Sequence, residues 1–498
     1  MRTLALRLVF FIGCTFLFAC SEPDKTEISI GLNASPVTLD PRYATDAVSY
    51  RITRLLYQSL INFDDQFRVI PDITNWQQIS LKHYRFTLND NSQPFHHGKP
   101  ITAQDIKATY DSVLDEKTIS PHRGSITIIK SIEIVDERTV DFHLNMDDPL
   151  FPGRLVISVM PADLIKAKHN FQKYPIGSGS FSFFGWDDES RLVLNRNRDK
   201  QRFNFLTVKD PTVRILKLLR GELDLVQGDL SPEVVDWLAD KESVAIEKHE
   251  GDTFTYIGFN LQDELIGQEK IRRAIAYAID REAIIKYVMK DNARLAGAIF
   301  SAAHWAGHMD MHGVDFRPDK AREILKELGF NESKPLRLSY KISNNPFRLR
   351  LATIIQNQLK QVGIEIKIQS YDWGTFYSDI KQGRFQLYSL SWVGLKMPDI
   401  FRYVFHSESF PPTGANRGRL QDDNVDNFIE AAESENDLTS QAIIYRKLQD
   451  YLLKVLPYVP LWYEDTILAR RKDISGYTLA TDGNFDAMKN IERIDINE

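Results

Sequence analysis

The chain has 498 residues, 43% of them hydrophobic, and a formal net charge of −6, enough apolar material for two or three domains. Its acidity is mild and spread out, with no basic stripe or arginine-rich run, which argues against nucleic-acid binding. The two cysteines are Cys14 and Cys20, so the chain beyond them cannot form a disulfide, a thiolate metal site or a cysteine nucleophile.

Residues 1–19 read as a signal peptide. Arg2 and Arg7 give a positive start, and Leu8 to Phe18 form an apolar run too short to span a bilayer comfortably. Losing those two arginines takes the charge from −6 to −8. Lys25 to Leu32 alternates as a strand and leads into a proline-bearing loop, Asn33 to Pro41, which includes Ala34, Ser35 and Pro36. Tyr84 to Leu114 reads as a strand, a glycine turn and a helix, with Thr102 and Asp105 at capping-box spacing. Ile106, Tyr110, Val113 and Leu114 form the buried stripe of that helix. His96 and His97 are adjacent on an extended segment and face opposite ways, which argues against a shared metal. His122 and Arg123 follow the helix in a loop, and Ser131 to Leu144 and Leu155 to Val159 read as further strands.

Pro175 to Phe181 is a glycine turn. The chain contains neither Gly-x-x-x-x-Gly-Lys nor Gly-x-Ser-x-Gly, so it has no phosphate loop and no nucleophile elbow of these types. Asp210-Pro211 opens a helix whose expected stripe is Val213, Leu216 and Leu219. Phe254 to Asn260 is a strand. Ile271 to Ile285 is a helix with a core face of Ile271, Ile275, Ala278 and Ile279, leaving Arg272, Arg273 and Asp280 solvated or capping. Another helix, 317–330, is closed by Gly329. Between these two helices, four-residue spacing would put His304, His308 and His312 on one helical face, with Met309 and Met311 as soft ligands. Gly307 weakens a helix there, so a connecting loop is set against this weak metal candidate.

Leu336 to Phe401 organises the rest. Leu336 to Ile342 alternates as a strand, Leu351, Ile354, Ile355, Leu359 and Val362 form a helical stripe, Gly363 stops the helix, and Ile364, Ile366 and Ile368 alternate again. Strand, helix and strand make a crossover unit, so the two strands should be parallel. A short helix from Trp373 leads to a third strand, Phe385 to Ser391, which empties into Trp392-Val393-Gly394-Leu395. Open α/β sheets bind ligands just beyond the carboxyl ends of their strands. Downstream, Val425 to Glu433 and Gln441 to Leu456 read as amphipathic helices.

The stretch "IIQNQLKQVGIEIKIQSYDWGTFYSDIKQGRFQLYSLSW" resembles the family 5 solute-binding proteins of ABC importers, the oligopeptide-, dipeptide- and nickel-binding class. So do "YRFTLNDNSQPFHHGKPITAQDIKATYDSVL", "IRRAIAYAIDREAII" and "RPDKAREILKELGF". Leu17-Phe18-Ala19-Cys20 resembles a bacterial lipobox, which implies lipidation of Cys20 and a membrane-anchored lipoprotein of the cell envelope.

The resemblance implies an α/β, two-lobed, hinged periplasmic-binding-protein type II fold with an extra small domain. Domain I would comprise 20–45, 175–265 and 475–498, domain II 46–174 and domain III 266–474. The chain would cross between lobes near Leu261 to Gln268 and again near Arg470 to Gly476. The protein would be a monomer without cofactor or catalysis that hands a peptide or peptide-like solute to permease and ATPase subunits. The ligand would meet Ala34, Ser35 and Pro36, His122, and Trp392, Val393, Gly394 and Leu395. One departure bears on cargo. The peptide-binding branches read Trp-x-x-Asp, and that aspartate pairs with the ligand ammonium, whereas this chain has Leu395 followed by Lys396. Asp399 is the nearest substitute, and Arg348 and Arg350 are the nearest arginines to the slot that holds a ligand carboxylate. A metal chelate or other non-peptide solute is therefore the alternative cargo.

Overall fold

The structure, a computed structural model, describes residues 26–90, 92–188, 190–331 and 333–495. Cys14, Cys20 and the expected signal peptide lie outside the described residues. Among the described residues no helix is long and apolar enough to cross a membrane.

Two long antiparallel strands, Val244–Phe259 and Tyr458–Arg471, form a spine that belongs to both lobes. At one end Leu225–Gln227 pairs with Leu468 to Arg470, and beyond it lie Ile28–Leu32, Arg202–Thr207, Arg191–Arg196 and Phe181–Asp188. At the other end Leu387–Trp392 pairs with Phe254 to Phe259, followed by Leu336–Ser343 and Ile364–Tyr371. One mixed sheet of 11 strands, counting Ala293–Leu295 beside the spine, therefore runs through both lobes. The spine's register breaks between His249 and Thr253, where the partners change from first-lobe to second-lobe strands. Gly251 sits in that break, and a Cβ there would lie 2.3 Å from the Glu464 carbonyl oxygen.

The crossover unit forms as the periodicity predicts. Leu336–Ser343 and Ile364–Tyr371 are parallel, in register from Leu336 opposite Ile364 to Ser343 opposite Tyr371. The helix between them, Pro346–Lys360, is capped by Asn345, whose side chain accepts from the backbone N–H groups of Phe347 and Arg348. Leu351, Ile355 and Leu359 pack into the second-lobe core with Ile257, Tyr340 and Trp462. Leu387–Trp392 is also parallel to Leu336–Ser343.

The first-lobe core gathers Ile30, Phe181, Phe203, Leu225 and Leu468 with the chain's end, including Tyr477, Phe485 and Ile491. The small domain is a four-stranded antiparallel sheet in the order Thr74–Ser80, His83–Leu88, Thr139–Leu144, Ile129–Ile134. The helix Ala103–Leu114 packs on it through Ile106, Tyr110 and Val113. The Asp105 carboxylate accepts from the Thr102 N–H and hydroxyl, both at 2.8 Å. His96 is part of the glycine turn, donating its N–H to the Gly177 carbonyl. Gly177 and Gly179 press against the backbone of Leu55 to Tyr57 so closely that a Cβ would come within 2.1 and 2.3 Å of carbonyl oxygens.

Four local expectations are corrected. The helix expected over Ile271 to Ile285 stops at Tyr277, and Asp280 caps a separate short helix, Arg281–Ala283. Leu155 to Val159 is not a strand. It is an irregular buried segment whose polar groups are used one at a time, by Tyr110 Oη on the Ile157 carbonyl and by the Val159 N–H on the Gln58 carbonyl. The helix Pro211–Leu219 buries Arg214, Ile215 and Leu218, while Val213 and Leu216 are exposed. Its dry face is rotated because Arg214 is drawn inward to Asp229. Arg272 is not solvated. It is buried and donates to the carbonyls of Ile266, Gly267, Val455 and Leu456 at 2.6–2.9 Å. Burial pulls its pKa down to about 10, so it is still charged at neutral pH.

Arg272 thus ties the start of its helix, Glu269–Tyr277, to the end of Leu438–Val455. Arg272→Ala should leave four carbonyls without this donor and destabilise the protein by about 3 kcal/mol. A lowered urea midpoint with an unchanged slope would show it, and a change below about 0.5 kcal/mol would mean that water replaces the guanidinium.

Candidate functional site

Trp392 closes its strand opposite Phe254 on the spine, at the end nearest the register break. Gly394, with φ of 65°, lets the chain turn out of the sheet, since a left-handed backbone costs glycine little. The segment that follows is fastened to the other two domains. Lys396 Nζ reaches Asp482 of the first lobe at 2.7 Å and lies 5.2 Å from the centre of the Phe63 ring in the small domain. Asp399 faces Arg154 of the small domain at 3.6 Å, and Arg154 is also held by Asp148 at 2.5 Å. Arg350 pairs with Glu233 and Lys290 with Asp236, again between the second lobe and the first. The lobes are in contact, so this is a closed arrangement.

Several polar groups of this region lack a matching partner among the described residues. The first is Arg417, 7% exposed, which lies 4.6 Å over the Trp392 ring and 5.4 Å over that of Tyr377. It donates to Tyr256 Oη at 3.3 Å and Tyr377 Oη at 3.1 Å, and among the described residues no carboxylate pairs with it. The second is the Trp392 indole N–H, shielded from solvent with no acceptor. The third is Asp252, 8% exposed, with neither carboxylate oxygen hydrogen-bonded to another side chain or backbone group.

Asp252 follows Gly251 in the register break and lines a small cavity with Leu395, His304, Ile299, Phe300, Ser301 and, from the small domain, Phe67. Burial, then repulsion from Asp482, pushes its pKa up to about 7, against the pull of Lys396 and Arg294. A carboxylate in such a place is costly unless a cation meets it. Leu395 therefore stands beside an acid that comes from a different part of the chain.

The sequence-predicted residues are distributed as follows. Trp392, Val393, Gly394 and Leu395 are contiguous at the interlobe face, with Val393 46% exposed. Ala34, Ser35 and Pro36 lie at the carboxyl end of Ile28–Leu32. Ala34 is exposed, and Ser35 Oγ is 2.9 Å from Thr207 Oγ1. His122 is half-buried with Nε2 3.2 Å from the Ala44 carbonyl, joining the small domain to the first lobe, and burial lowers its pKa. Arg348 is bound by both oxygens of Glu464 at 2.5 and 2.8 Å, so Arg348, Arg350 and Asp399 all have partners.

The three histidines of the irregular loop do not converge. His304 is buried, stacked 3.9 Å from Phe300, accepts from the Ala306 N–H at Nδ1 and reaches the Lys396 carbonyl through Nε2. Burial lowers its pKa to about 4, leaving a neutral ring with both nitrogens occupied. His308 turns to Asp450, and His312 is exposed.

Sequence reasoning missed Asp252, Arg417 and the Lys396–Asp482 pair. Asp252 in "EGDT" and Arg417 in "ANRG" carry no periodic signal. The one available clue was Leu395 itself, which required compensation from somewhere else.

A family model described as "Bacterial extracellular solute-binding proteins, family 5 Middle" matches residues 68–409. The chain is similar to the oligopeptide-binding protein AppA of Bacillus subtilis, 25% identical with 94% of each chain covered. It is also similar to di/tripeptide-binding protein 2 of Pseudomonas aeruginosa, 24% identical over 96% of this chain and 97% of that one. Among solved structures, NikZ from Campylobacter jejuni in complex with Ni(L-His) shares the fold with a TM-score of 0.83 at 23% identity. It covers 94% of this chain and 100% of its own. DppA from Helicobacter pylori in complex with the peptide STSA shares it with a TM-score of 0.81 at 23% identity, covering 94% and 98%.

The raised pKa of Asp252 makes ligand-free closure pH-dependent. In an open cleft the group would titrate near the usual carboxylate value of about 3.9, so the closed form holds its proton more tightly. Closure is then easiest near pH 4, weakens as pH rises from 4 to 7 and levels off above 7, a change of up to about 4 kcal/mol. Asp482, held below the usual value by Lys396 despite burial, releases its pair only below this window. Small-angle X-ray scattering on ligand-free protein should show a radius of gyration that grows between pH 4 and 7, and Asp252→Asn should reduce that growth to the part due to Asp399, whose pKa burial also raises.

Proposed function

The chain belongs to the bacterial extracellular solute-binding proteins of family 5, and on that premise we propose that it is the substrate-binding component of an ABC importer. It captures a peptide or peptide-like zwitterion between closing lobes and delivers it to a permease driven by ATPase subunits. The observation that carries the reading is Asp252, unpartnered in a cavity between the second lobe and the small domain, together with Arg417, which lies over the Trp392 ring with no carboxylate partner among the described residues, and the free Trp392 indole N–H. A ligand with an ammonium and a carboxylate supplies what each lacks, and the Trp392 face suits the mixed polar and apolar surface of a peptide. The reading needs no chemistry on the ligand. Closure binds it from both sides and shifts the population toward the closed form.

In this reading the ligand is bounded by Trp392, Val393, Gly394 and Leu395 of domain III and by the Ala34–Pro36 loop of domain I, with His122 bracing domain II nearby. Domain II spans 46–174. Domains I and III divide, in this reading, at the register break of the spine rather than at the crossings near Leu261 to Gln268 and Arg470 to Gly476 that the resemblance implies, so the hinge is the pair of segments 249–253 and 464–466. Cys20 carries the lipid that anchors the protein, as a monomer, to a membrane of the cell envelope, with its body facing the periplasm or the exterior.

The test is calorimetric titration of mature protein with short peptides and their blocked forms. Free peptides should bind, N-acetylation or C-amidation should each weaken binding by about 10- to 100-fold, and Asp252→Asn should remove the penalty of acetylation. Equal affinity for acetylated and free peptides would sink the role of Asp252. A single metal chelate released on denaturation, with no peptides, would move the cargo to the alternative class.

A further inference from the structure

The small-domain sheet carries a second polar cluster that the solute-binding reading does not use. His83 on His83–Leu88 lies directly opposite His143 on Thr139–Leu144, and Arg85 lies opposite Asp141. On the next strand, Ser131 is opposite His143 and Glu133 opposite Asp141. Residues two apart share a face, so His83, Asp141, His143 and Glu133 all project from the same side. That is the side away from Tyr84, Phe86, Val140 and Phe142, which fill the core.

The imidazole rings stack with centroids 4.4 Å apart and 29° between planes. Both Nε2 atoms are shielded from solvent; that of His143 makes no hydrogen bond, and that of His83 has only the Asp141 carboxylate beside it. Asp141 Oδ2 lies 3.0 Å from that of His83, and Glu133 Oε2 lies 3.6 Å from that of His143. One ligand atom each from His83, Asp141 and His143 falls within 4.8 Å of the others. Two solvent-shielded imidazole nitrogens and two carboxylates, with His143 Nε2 left without any hydrogen bond, form a donor set that a shared cation would complete.

We propose that His83, Asp141 and His143 bind a divalent transition-metal ion of the zinc or nickel class, with Glu133 or water completing the shell. Imidazole with carboxylate suits these ions rather than calcium or magnesium. Three protein ligands with a remaining open position is a common zinc arrangement. Arg85 grips Asp141 through Nε and Nη2, both at 2.8 Å. It acts as the outer partner that orients a ligating carboxylate, while Oδ2 also lies 3.0 Å from His83 Nε2. The ion would tie two adjacent strands together, and a third if Glu133 joins. The cluster shares no residue with the interlobe site, so it stands or falls independently of the cargo.

The experiment uses untagged mature protein stripped with chelator and titrated with Zn²⁺ and, separately, Ni²⁺. One equivalent should bind and raise the thermal midpoint. His143→Ala and Asp141→Asn should each weaken binding at least about 10-fold, and His308→Ala should leave it unchanged. X-ray absorption of the nickel-loaded protein should count two imidazoles. Circular dichroism and cleft-ligand titration of the variants separate loss of the metal from loss of the fold. Binding unchanged in His83→Ala/His143→Ala, or no stoichiometric binding in the parent protein, would overturn the assignment.

Discussion

The antiparallel pairing of Val244–Phe259 with Tyr458–Arg471 is the constraint on which everything else rests. Strands usually serve one core, but these two serve both. Leu468 and Ala469 are buried in the first lobe, whereas Ile257, Val459 and Trp462 are buried in the second. Because the two connections between lobes are hydrogen-bonded to each other, sliding one past the other would break the ladder. Bending where the ladder is already interrupted, at Gly251, costs much less. The permitted motion is therefore set by hydrogen-bond geometry before any ligand is considered.

The same break places the chemistry. The interruption that permits bending also turns Asp252 out of the pairing pattern and into the gap between the domains. Trp392 is one of the last paired residues before that gap, and the loop after it carries Lys396 to Asp482 and Asp399 toward Arg154. Asp252 and the strand end at Trp392 thus both adjoin one irregularity in one ladder.

Much of the fold was legible because it is periodic. The crossover unit from Leu336 to Tyr371, the helix after Thr102 and the cap at Asp210 all follow from local spacing and local hydrogen bonding. What local spacing could not supply was the length of the spine. Its outer halves, Val244 to His249 and Glu464 to Arg471, are rich in charged residues that pair across strands rather than pack on a core. Arg272 likewise looked like a surface residue, and nothing in its spacing marked Arg281 for the interior. Their guanidinium groups are instead surrounded by carbonyls from distant segments, such as Leu456 and Pro460, a role that depends on tertiary arrangement alone. The candidate site was half legible: Trp392 to Leu395 stands at a strand end, where topology predicts a ligand, while Asp252 and Arg417 are brought there from elsewhere in the chain.

Asp252 has a further consequence for an importer. A transporter that recognises only the closed shape cannot see whether that shape is filled, and each mistaken engagement would hydrolyse ATP for no cargo. A carboxylate that must be buried unpaired whenever the lobes shut on nothing raises the energy of that counterfeit state. A cation brought by the cargo removes the penalty. The side chain proposed to meet the ligand would then act as a guard against futile cycling, built from one misfit in an otherwise regular ladder.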